Sequence, residues 1–222
     1  MKPTLLPSRT CAGAGAAALL LLVAACGSHS DDGGDRAAPS IEVTELPPGT
    51  YAVSTGDAAD PTAGKYYAAA DGSRLLVLND SAQQATAMYR RDGNAGWQPV
   101  PAATQDVKIA LLGSSAAPSS VVDPASVAGS YAVRLAPGGV AAFSVTAGGD
   151  IVAGNTACKL SGKLAAGTLP NALKLTLATA GCGDLPAQSD GYLVVDGDYA
   201  PARFRLLAGR SAAPLDLWAY PE

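Results

Sequence analysis

The sequence predicts an all-β protein built from antiparallel strands. Apolar and polar residues alternate along short segments, turn-forming sequences separate these segments, and no segment shows the longer apolar period of a helix. The chain contains 25 glycines and 16 prolines, which suits a meander of about a dozen short strands. We therefore expect either two small β lobes, sandwich-like or barrel-like, or a single barrel.

The clearest predicted strand covers residues 171–177, in which leucines alternate with polar residues. Near the C-terminus, Phe204 and Leu206 alternate with Arg203 and Arg205, so we expect these arginines on the face opposite the core. A two-residue hairpin turn is predicted between two strands in the first half of the chain, because Asp-Gly favours that turn type. This turn is Asp71-Gly72.

A faint internal repeat divides the chain. The segment GTYAV at 49–53 recurs as GSYAV at 129–133, and each copy precedes a strand, a glycine turn and another strand. Between the copies, residues 113–120 are small and polar, which is typical of a linker. An equally open alternative is one barrel whose opening strands are alike by chance. The predicted parts are an N-terminal lobe at 48–113, a linker at 114–124 and a C-terminal lobe at 125–222.

The first 25 residues have the three parts of a secretory signal. Lys2 and Arg9 supply positive charge, and residues 12–25 carry none and include four consecutive leucines at 19–22. An uncharged stretch of this length is shorter than the roughly 20 apolar residues that span a bilayer. We therefore interpret it as the apolar region of a signal peptide rather than a membrane-spanning helix.

The end of this signal, Val23-Ala24-Ala25-Cys26, resembles the lipobox of bacterial lipoproteins. The resemblance implies that residues 1–25 are removed and that Cys26 carries two or three acyl chains, palmitate among them. Two or more chains hold a protein firmly to a membrane. Because Gly27 follows the cysteine, the resemblance also implies the outer membrane where the envelope has two membranes. The alternative is an ordinary signal peptide that happens to precede a cysteine.

Residues 26–47 are predicted to be the lipidated cysteine and a flexible tether, since the segment begins polar and glycine-rich. Its acidic cluster, Asp31, Asp32 and Asp35, is interpreted as a solvated spacer rather than a cation site. Removing 25 of the 222 residues, with Lys2 and Arg9, leaves 197 residues with 13 basic and 19 acidic side chains, a net charge of −6. This charge argues against a nucleic-acid partner and against electrostatic docking on anionic lipid.

The body retains two cysteines after processing. Cys11 leaves with the signal and Cys26 is acylated, so Cys158 and Cys182 are expected to pair in an oxidising compartment. Such a disulfide closes a loop of about 25 residues and contributes about 3.5 kcal/mol in the chain-entropy treatment. The alternative, a redox or metal-binding pair, needs closer spacing or further ligands.

A recurring pattern runs through the C-terminal part of the chain. It consists of PASVAGSY at 124–131, FSVTAGGDIVAG at 143–154, Cys158 with LSG at 160–162, and Gly181-Cys182. This pattern resembles uncharacterised disulfide-containing bacterial lipoproteins that have a β-barrel-like domain. Their G-x-C-x-x-x-G strand is matched loosely here, because residues 155–157 precede the cysteine. The resemblance implies a barrel-like fold and brings no activity with it.

The histidine content restricts the chemistry that the chain can perform. His29 is the single histidine of the sequence and lies in the predicted tether, three residues after Cys26. This position argues against Ser-His-Asp or Cys-His catalysis and against the usual zinc ligand sets. We therefore expect no cofactor, no metal and no enzymatic activity.

Two other pairs have a structural interpretation that outweighs the functional one. Ser161 and Lys163 have the residue types of a Ser-Lys pair, but a solvated lysine on alternate strand positions is the favoured interpretation. Asp196 and Asp198 flank a glycine and would suit Ca²⁺ if other oxygens converged. A turn needs the same residues, and we favour the turn.

Aromatic residues give one mild functional indication. Trp218 and Tyr220 fall on the face opposite Leu215 and Leu217. If exposed, they form a patch that binds an envelope protein or a glycan; if the other lobe covers that face, they belong to the core, which we favour. The sequence thus predicts a membrane-anchored envelope lipoprotein that binds or scaffolds without catalysis. The alternatives are an inhibitor or protective factor against wall-degrading enzymes, and an enzyme of unrecognised type.

Overall fold

The alternating segments form strands throughout the part of the chain that the structure describes. In the computed structural model this part covers residues 38–136, 138–209 and 212–222, and Ala38–Glu222 pack as one unit. The predicted all-β class is confirmed. Helical structure in these ranges consists of two short 3-10 turns, Pro124–Val127 and Gly197–Tyr199. Neither has the length or the apolar character that a membrane crossing requires.

The strands are numbered in chain order. They are β1 (Ile41–Val43), β2 (Gly49–Gly56), β3 (Pro61–Ala68), β4 (Arg74–Asn79), β5 (Ala85–Arg91), β6 (Gln98–Val100), β7 (Val107–Ile109), β8 (Leu111–Ala117), β9 (Gly129–Leu135), β10 (Gly139–Val145), β11 (Asp150–Ala153), β12 (Lys159–Ala166), β13 (Ala172–Ala180), β14 (Gln188–Val194), β15 (Phe204–Ala208) and β16 (Leu215–Pro221).

The second half of the chain forms a closed antiparallel barrel of eight strands. Strands β9 to β16 follow one another around the barrel, and β9 closes it by pairing with β16. Apolar side chains fill the interior, with the rings of Tyr131, Phe143 and Phe204 in mutual contact. The leucines predicted at alternate positions of 171–177 all point into this core from β13. The barrel interior is therefore a packed core.

The first half of the chain forms an antiparallel sheet of six strands in the order β6-β5-β4-β3-β2-β8. The predicted hairpin at Asp71-Gly72 connects β3 to β4, but its loop is longer than the two residues predicted. The ladder ends at Ala68 and Arg74, and the Ala69 N–H donates to the Ser73 carbonyl across the loop. Gly72 adopts a φ of 93°, which favours glycine. One face of the sheet is covered by β1 and β7, which pair in parallel.

The other face of the six-stranded sheet packs against the outer wall of the barrel. Tyr67, Leu75 and Met88 of the sheet join Tyr192 and Leu207 of the barrel in one buried cluster. As a result β15 is buried on both of its faces. Arg205, which the alternation predicts on a face opposite the core, is fully buried between the two sheets. That expectation fails because the outer wall of the barrel is itself covered.

The structure corrects two boundaries of the predicted segments. Ile41–Val43, which the sequence places in the tether, form β1 and pair with Val107–Ile109. Residues 114–117, predicted as linker, belong to β8 and pair with β2 at the sheet edge. Small residues suit an edge strand as well as a linker, so composition alone did not distinguish the two. After β8, the chain is held by Asn171, whose side chain accepts hydrogen bonds from the Ser120 N–H and hydroxyl.

The internal repeat of the sequence corresponds to a repeated local structure. Gly49 and Gly129 begin β2 and β9 with φ values of 152° and 150°. Two residues later, the Tyr51 hydroxyl donates to the Pro47 carbonyl and the Tyr131 hydroxyl donates to the Val127 carbonyl. Each copy therefore opens the first hairpin of its sheet with the same glycine conformation and the same tyrosine contact.

The buried tyrosines predict unfolding in alkali. Burial raises the pKa of six tyrosines above the ordinary value of 10.0, in the case of Tyr192 to about 12. Because burial raises the folded-state pKa values, the protonated tyrosines contribute their full stability to the fold below about pH 10. This contribution is lost as the pH rises through the folded-state pKa values. Each pKa unit corresponds to about 1.4 kcal/mol. We expect tyrosinate absorbance to appear together with loss of β-sheet circular dichroism; full tyrosinate absorbance in a folded protein would contradict this prediction.

Candidate functional site

Several of the residues selected from the sequence lie outside the described part of the chain. These are Cys26, His29 and the acidic cluster at 31–35, so the structure does not bear on them. The predicted disulfide is confirmed: Cys158 and Cys182 are joined at an S–S distance of 2.02 Å, with both half-cystines buried at the barrel core. This bond is structural and contributes no functional group.

The two pairs for which the sequence favoured a structural interpretation are engaged in ion pairs. Lys163 donates to a carboxylate oxygen of Asp150 at 2.7 Å and is half exposed. The ammonium of Lys65, from the six-stranded sheet, lies 3.0 Å from Asp196 and 2.6 Å from Asp198. Lys65 therefore occupies the position where a cation would contact the two carboxylates, and the turn there is a 3-10 turn capped by Asp196.

Trp218 and Tyr220 lie on the outer face of β16, opposite the leucines that enter the barrel core, as the sequence predicts. Both rings are partly buried against the cluster between the sheet and the barrel. They are not fully covered, however, because both also form part of the wall of a surface groove. The structure thus places them between the two alternatives, as rings that pack on one side and are accessible on another.

Arg205 fixes the position of the Trp218 ring. The two residues are directly opposite each other on β15 and β16, and the guanidinium carbon lies 4.6 Å from the indole centroid. The Tyr199 ring contacts the same indole edge-on at 5.2 Å. Cation–π and edge-to-face contacts of this kind stabilise ring orientation. The indole is therefore held in place before any ligand arrives.

The guanidinium of Arg205 is neutralised within the same cluster. It donates to both carboxylate oxygens of Asp216, at 3.0 and 2.5 Å, and to the amide oxygen of Asn79 at 3.1 Å. Burial alone would lower the pKa of Arg205, but the hydrogen bonds and the charge of Asp216 outweigh burial and raise that pKa. Asp216 also accepts the backbone N–H of Ala85. These contacts join both ends of the β4–β5 turn to the barrel.

The groove lies between that turn and the barrel wall and has a volume of about 450 Å³. We call it the Trp218 groove. Its walls are Ala82, Gln83, Gln84, Arg134, Leu135, Ala136, Asp216, Trp218 and Tyr220. A second groove of about 330 Å³ adjoins it, shares Arg134 and Gln84, and extends towards Asp184 and Leu185. Because they share walls, the two grooves form one continuous surface depression.

The polar groups on the rim of the Trp218 groove are available to a ligand. Arg134 is exposed and makes neither an ion pair nor a hydrogen bond with any described residue. Within the same ranges, the side-chain amides of Gln83 and Gln84 and the Tyr220 hydroxyl also have no hydrogen-bond partner. The turn itself is fixed, because Asp80 accepts the backbone N–H groups of Ala82 and Gln84. A fixed backbone thus presents unengaged donors and acceptors.

Sequence reasoning identified the two aromatic rings of this groove but not Arg134, Gln83 or Gln84. Arg134 lies on β9, two residues from Ala132, which pairs with Tyr220, so the alternation of the strand puts it on the same outer face. Gln83 lies in the β4–β5 turn, where its φ is 63°. The sequence shows neither that the barrel closes between β9 and β16 nor that the turn meets this wall.

A larger groove of about 610 Å³ lies beside Trp97 at the edge strand β6. Its polar groups are already engaged. Arg90 donates to the Gln98 side chain and to the Asp190 carbonyl, and the Arg91 guanidinium lies 5.0 Å from the Trp97 centroid. The Trp218 groove, although smaller, therefore offers more groups to a ligand.

Within the described ranges, no group of three or more His, Cys, Asp or Glu side chains is arranged to hold a metal ion.

No protein-family model matches the chain, and no curated protein or solved structure matches it.

Proposed function

We propose that this chain is a lipid-anchored lipoprotein of the bacterial cell envelope and that its β body is a binding module whose ligand occupies the Trp218 groove. The observation that carries the binding role is the set of unengaged side chains beside an immobilised indole. Arg134, Gln83 and Gln84 surround a ring that Arg205 already orients. Rigid aromatic surface with adaptable polar groups is a common composition of binding sites.

The chemical character of the groove supports binding rather than catalysis. Its accessible groups are a guanidinium, two amides and a phenol, which form hydrogen bonds, and an indole ring, which offers ring contacts because its N–H is buried. The carboxylate at its base, Asp216, is held by Arg205 and by the Ala85 N–H.

The anchor rests on the lipobox-like sequence that ends at Cys26. The strand β1 begins at Ile41, so 14 residues separate the cysteine from the β body. A flexible segment of that length has a reach of about 20 Å. Lipidation would therefore hold the β body close to the membrane surface.

Replacing Cys26 by serine is expected to release the protein from membranes. Serine cannot receive the thioether-linked diacylglycerol, and the mildly acidic body has no compensating attraction for anionic lipid. Fractionation of cells followed by detection of the protein measures the effect, and Cys11→Ser is the matched control that should remain in the membrane fraction. Retention of the Cys26→Ser protein in that fraction would refute the anchor.

The same released protein tests the binding role. We expect the full-length Cys26→Ser protein to sediment with isolated cell envelopes in a saturable manner, and the double substitution Gln83→Ala with Gln84→Ala to weaken this binding. Gln105→Ala with Gln188→Ala is the matched control, because both glutamines are exposed and lie outside the groove walls. Equal loss in the two double variants would contradict a site in the groove.

A further inference from the structure

We propose that the Trp218 groove recognises a saccharide that carries a carboxylate group. This inference rests on the binding role proposed above and assigns a ligand class to the same groove. It is carried by three features of the walls: two aromatic rings on one face of β16, one guanidinium without a counter-ion, and two adjacent glutamine amides.

The aromatic rings provide a surface for the C–H face of a sugar ring. Trp218 and Tyr220 are two residues apart on β16, so both project from the same outer face of the barrel. Tyr220 adds a hydroxyl that has no hydrogen-bond partner among the described residues. Rings of this type combine an apolar body with a polar tip, which matches the mixed surface of a saccharide. Because Arg205 and Tyr199 fix the indole, little ordering cost remains for the ligand to offset.

Arg134 gives the groove its preference for a carboxylate. Its guanidinium is exposed and unpaired within the described ranges, while Asp216, the carboxylate among the walls of the Trp218 groove, is neutralised by Arg205. The groove thus presents a local positive charge on a chain whose formal net charge is −4. A guanidinium binds a carboxylate through two parallel hydrogen bonds, a geometry that a neutral hydroxyl cannot reproduce.

The two glutamines suit the hydroxyl groups of the same ligand. Each side-chain amide offers donors and an acceptor, which complement hydroxyls that both donate and accept. Their backbone is held by Asp80, so the amides extend from a fixed turn. The adjoining groove continues past Gln84 and Arg134, so a chain of more than one sugar unit can be accommodated along the depression.

An extended peptide is the alternative occupant, because peptides gain affinity by adding a strand to an exposed sheet edge. The β9–β16 ladder ends at Val133 and Ala219, so the two strands are not paired with each other beside the groove. The side chains of the groove favour a saccharide over a peptide. Two aromatic rings and two amides complement the C–H faces and the hydroxyls of a sugar, a combination that an extended peptide does not present.

The test uses the full-length Cys26→Ser protein with two probes, a β-1,4-linked tetramer of glucuronic acid and the corresponding tetramer of glucose. Titration calorimetry measures the affinity for each tetramer. Tryptophan fluorescence is a second measurement, made on protein that also carries Trp97→Phe, so that any change in emission comes from Trp218. We expect saturable binding of the acidic tetramer, about tenfold or more tighter than the neutral one, since a hydrogen bond to a charged group contributes about 1.5–3 kcal/mol. Arg134→Gln should abolish this preference, and Arg203→Gln, which alters an exposed arginine outside the groove, should preserve it.

Three outcomes would overturn the proposal: equal affinity for the two tetramers, no binding of either, or a preference that survives Arg134→Gln. Tighter binding of a peptide with a free C-terminal carboxylate than of either tetramer would assign the groove to a peptide instead. None of these results affects the sedimentation of the Cys26→Ser protein with envelopes. The proposed binding role itself would be refuted if the Cys26→Ser protein did not sediment with envelopes, or if the Gln83→Ala, Gln84→Ala double substitution left that sedimentation unchanged.

Discussion

Replacing Asp216 by alanine is expected to lower the free energy of unfolding by about 3–5 kcal/mol, because it leaves the Arg205 charge buried without a counter-ion. Arg205 is 0% exposed, and Asp216 accepts two hydrogen bonds from its guanidinium. The same substitution removes the acceptor of the Ala85 N–H, which joins the six-stranded sheet to the barrel. Urea denaturation followed by circular dichroism measures the effect.

The matched control is Asp184→Ala, which removes an exposed carboxylate outside the Arg205 cluster and should change stability by less than about 0.5 kcal/mol. The double substitution Arg205→Met with Asp216→Leu should recover part of the loss, because no uncompensated charge remains buried. Recovery will be incomplete, since Asn79 and the Ala85 N–H still lose their partners. A double variant as unstable as Asp216→Ala would show that the buried charge is not the cause.

The position of Arg205 also shows how far the sequence predicts this fold. Alternation correctly assigns Phe204 and Leu206 to the barrel core and the arginine to the opposite face. It does not reveal that the opposite face is covered, because the covering residues come from a sheet more than 100 positions earlier in the chain. Long-range packing of one sheet on another leaves no local pattern in either sequence.

The β1–β7 pair is a second example of the same limit. Ile41 pairs with Val107 in parallel across 66 residues, and each strand is only three residues long. Three alternating residues carry too little periodicity to separate a strand from a tether. By contrast β13, with three buried leucines at alternate positions, is predicted from its own sequence.

Some residues of the candidate site are predicted from local sequence, and others become recognisable only through long-range packing. Trp218 and Tyr220 are placed by alternation on the face opposite Leu215 and Leu217, which the structure bears out, but the sequence favoured the core and did not predict their partial exposure. Arg134 and the two glutamines are ordinary surface residues in the sequence and acquire meaning only where the β4–β5 turn meets the barrel. The site depends on Asn79 and Ala85 to keep that turn against β15 and β16. Asp216→Ala should consequently weaken ligand binding as well as stability.

Removing the disulfide is expected to have an effect of similar size by a different route. Cys158 precedes β12 and Cys182 follows β13, so the bond closes the open end of this hairpin across a separation of 24 residues. The barrel ladder already aligns β12 with β13 from Lys159 to Ala166. The bond therefore acts mainly by restricting the unfolded chain, and the Cys158→Ala, Cys182→Ala double variant should lose about 3.5 kcal/mol.

The unfolded-state origin of this effect can be distinguished from a loss of native packing. An unfolded chain without the cross-link exposes more surface, so the denaturant slope of the double variant should rise while its folded spectrum stays unchanged. Wild-type protein reduced under denaturant should follow the same curve. An unchanged slope, or a stability loss below about 1 kcal/mol, would contradict the entropic role.

The same cysteine pair connects the fold to the proposed location. A bond between Cys158 and Cys182 persists in an oxidising compartment and is kept reduced in the cytosol. Protein produced without residues 1–25 is therefore expected to show two reactive thiols in its body, besides that of Cys26, when it is denatured in the presence of a thiol label. Protein from the full sequence should show none in its body. Because the thiols then report on export and Cys26→Ser reports on anchoring, the two experiments separate passage across the membrane from attachment to it. An exported body with free thiols would mean that the barrel folds without its cross-link, and its stability would match that of the double alanine variant.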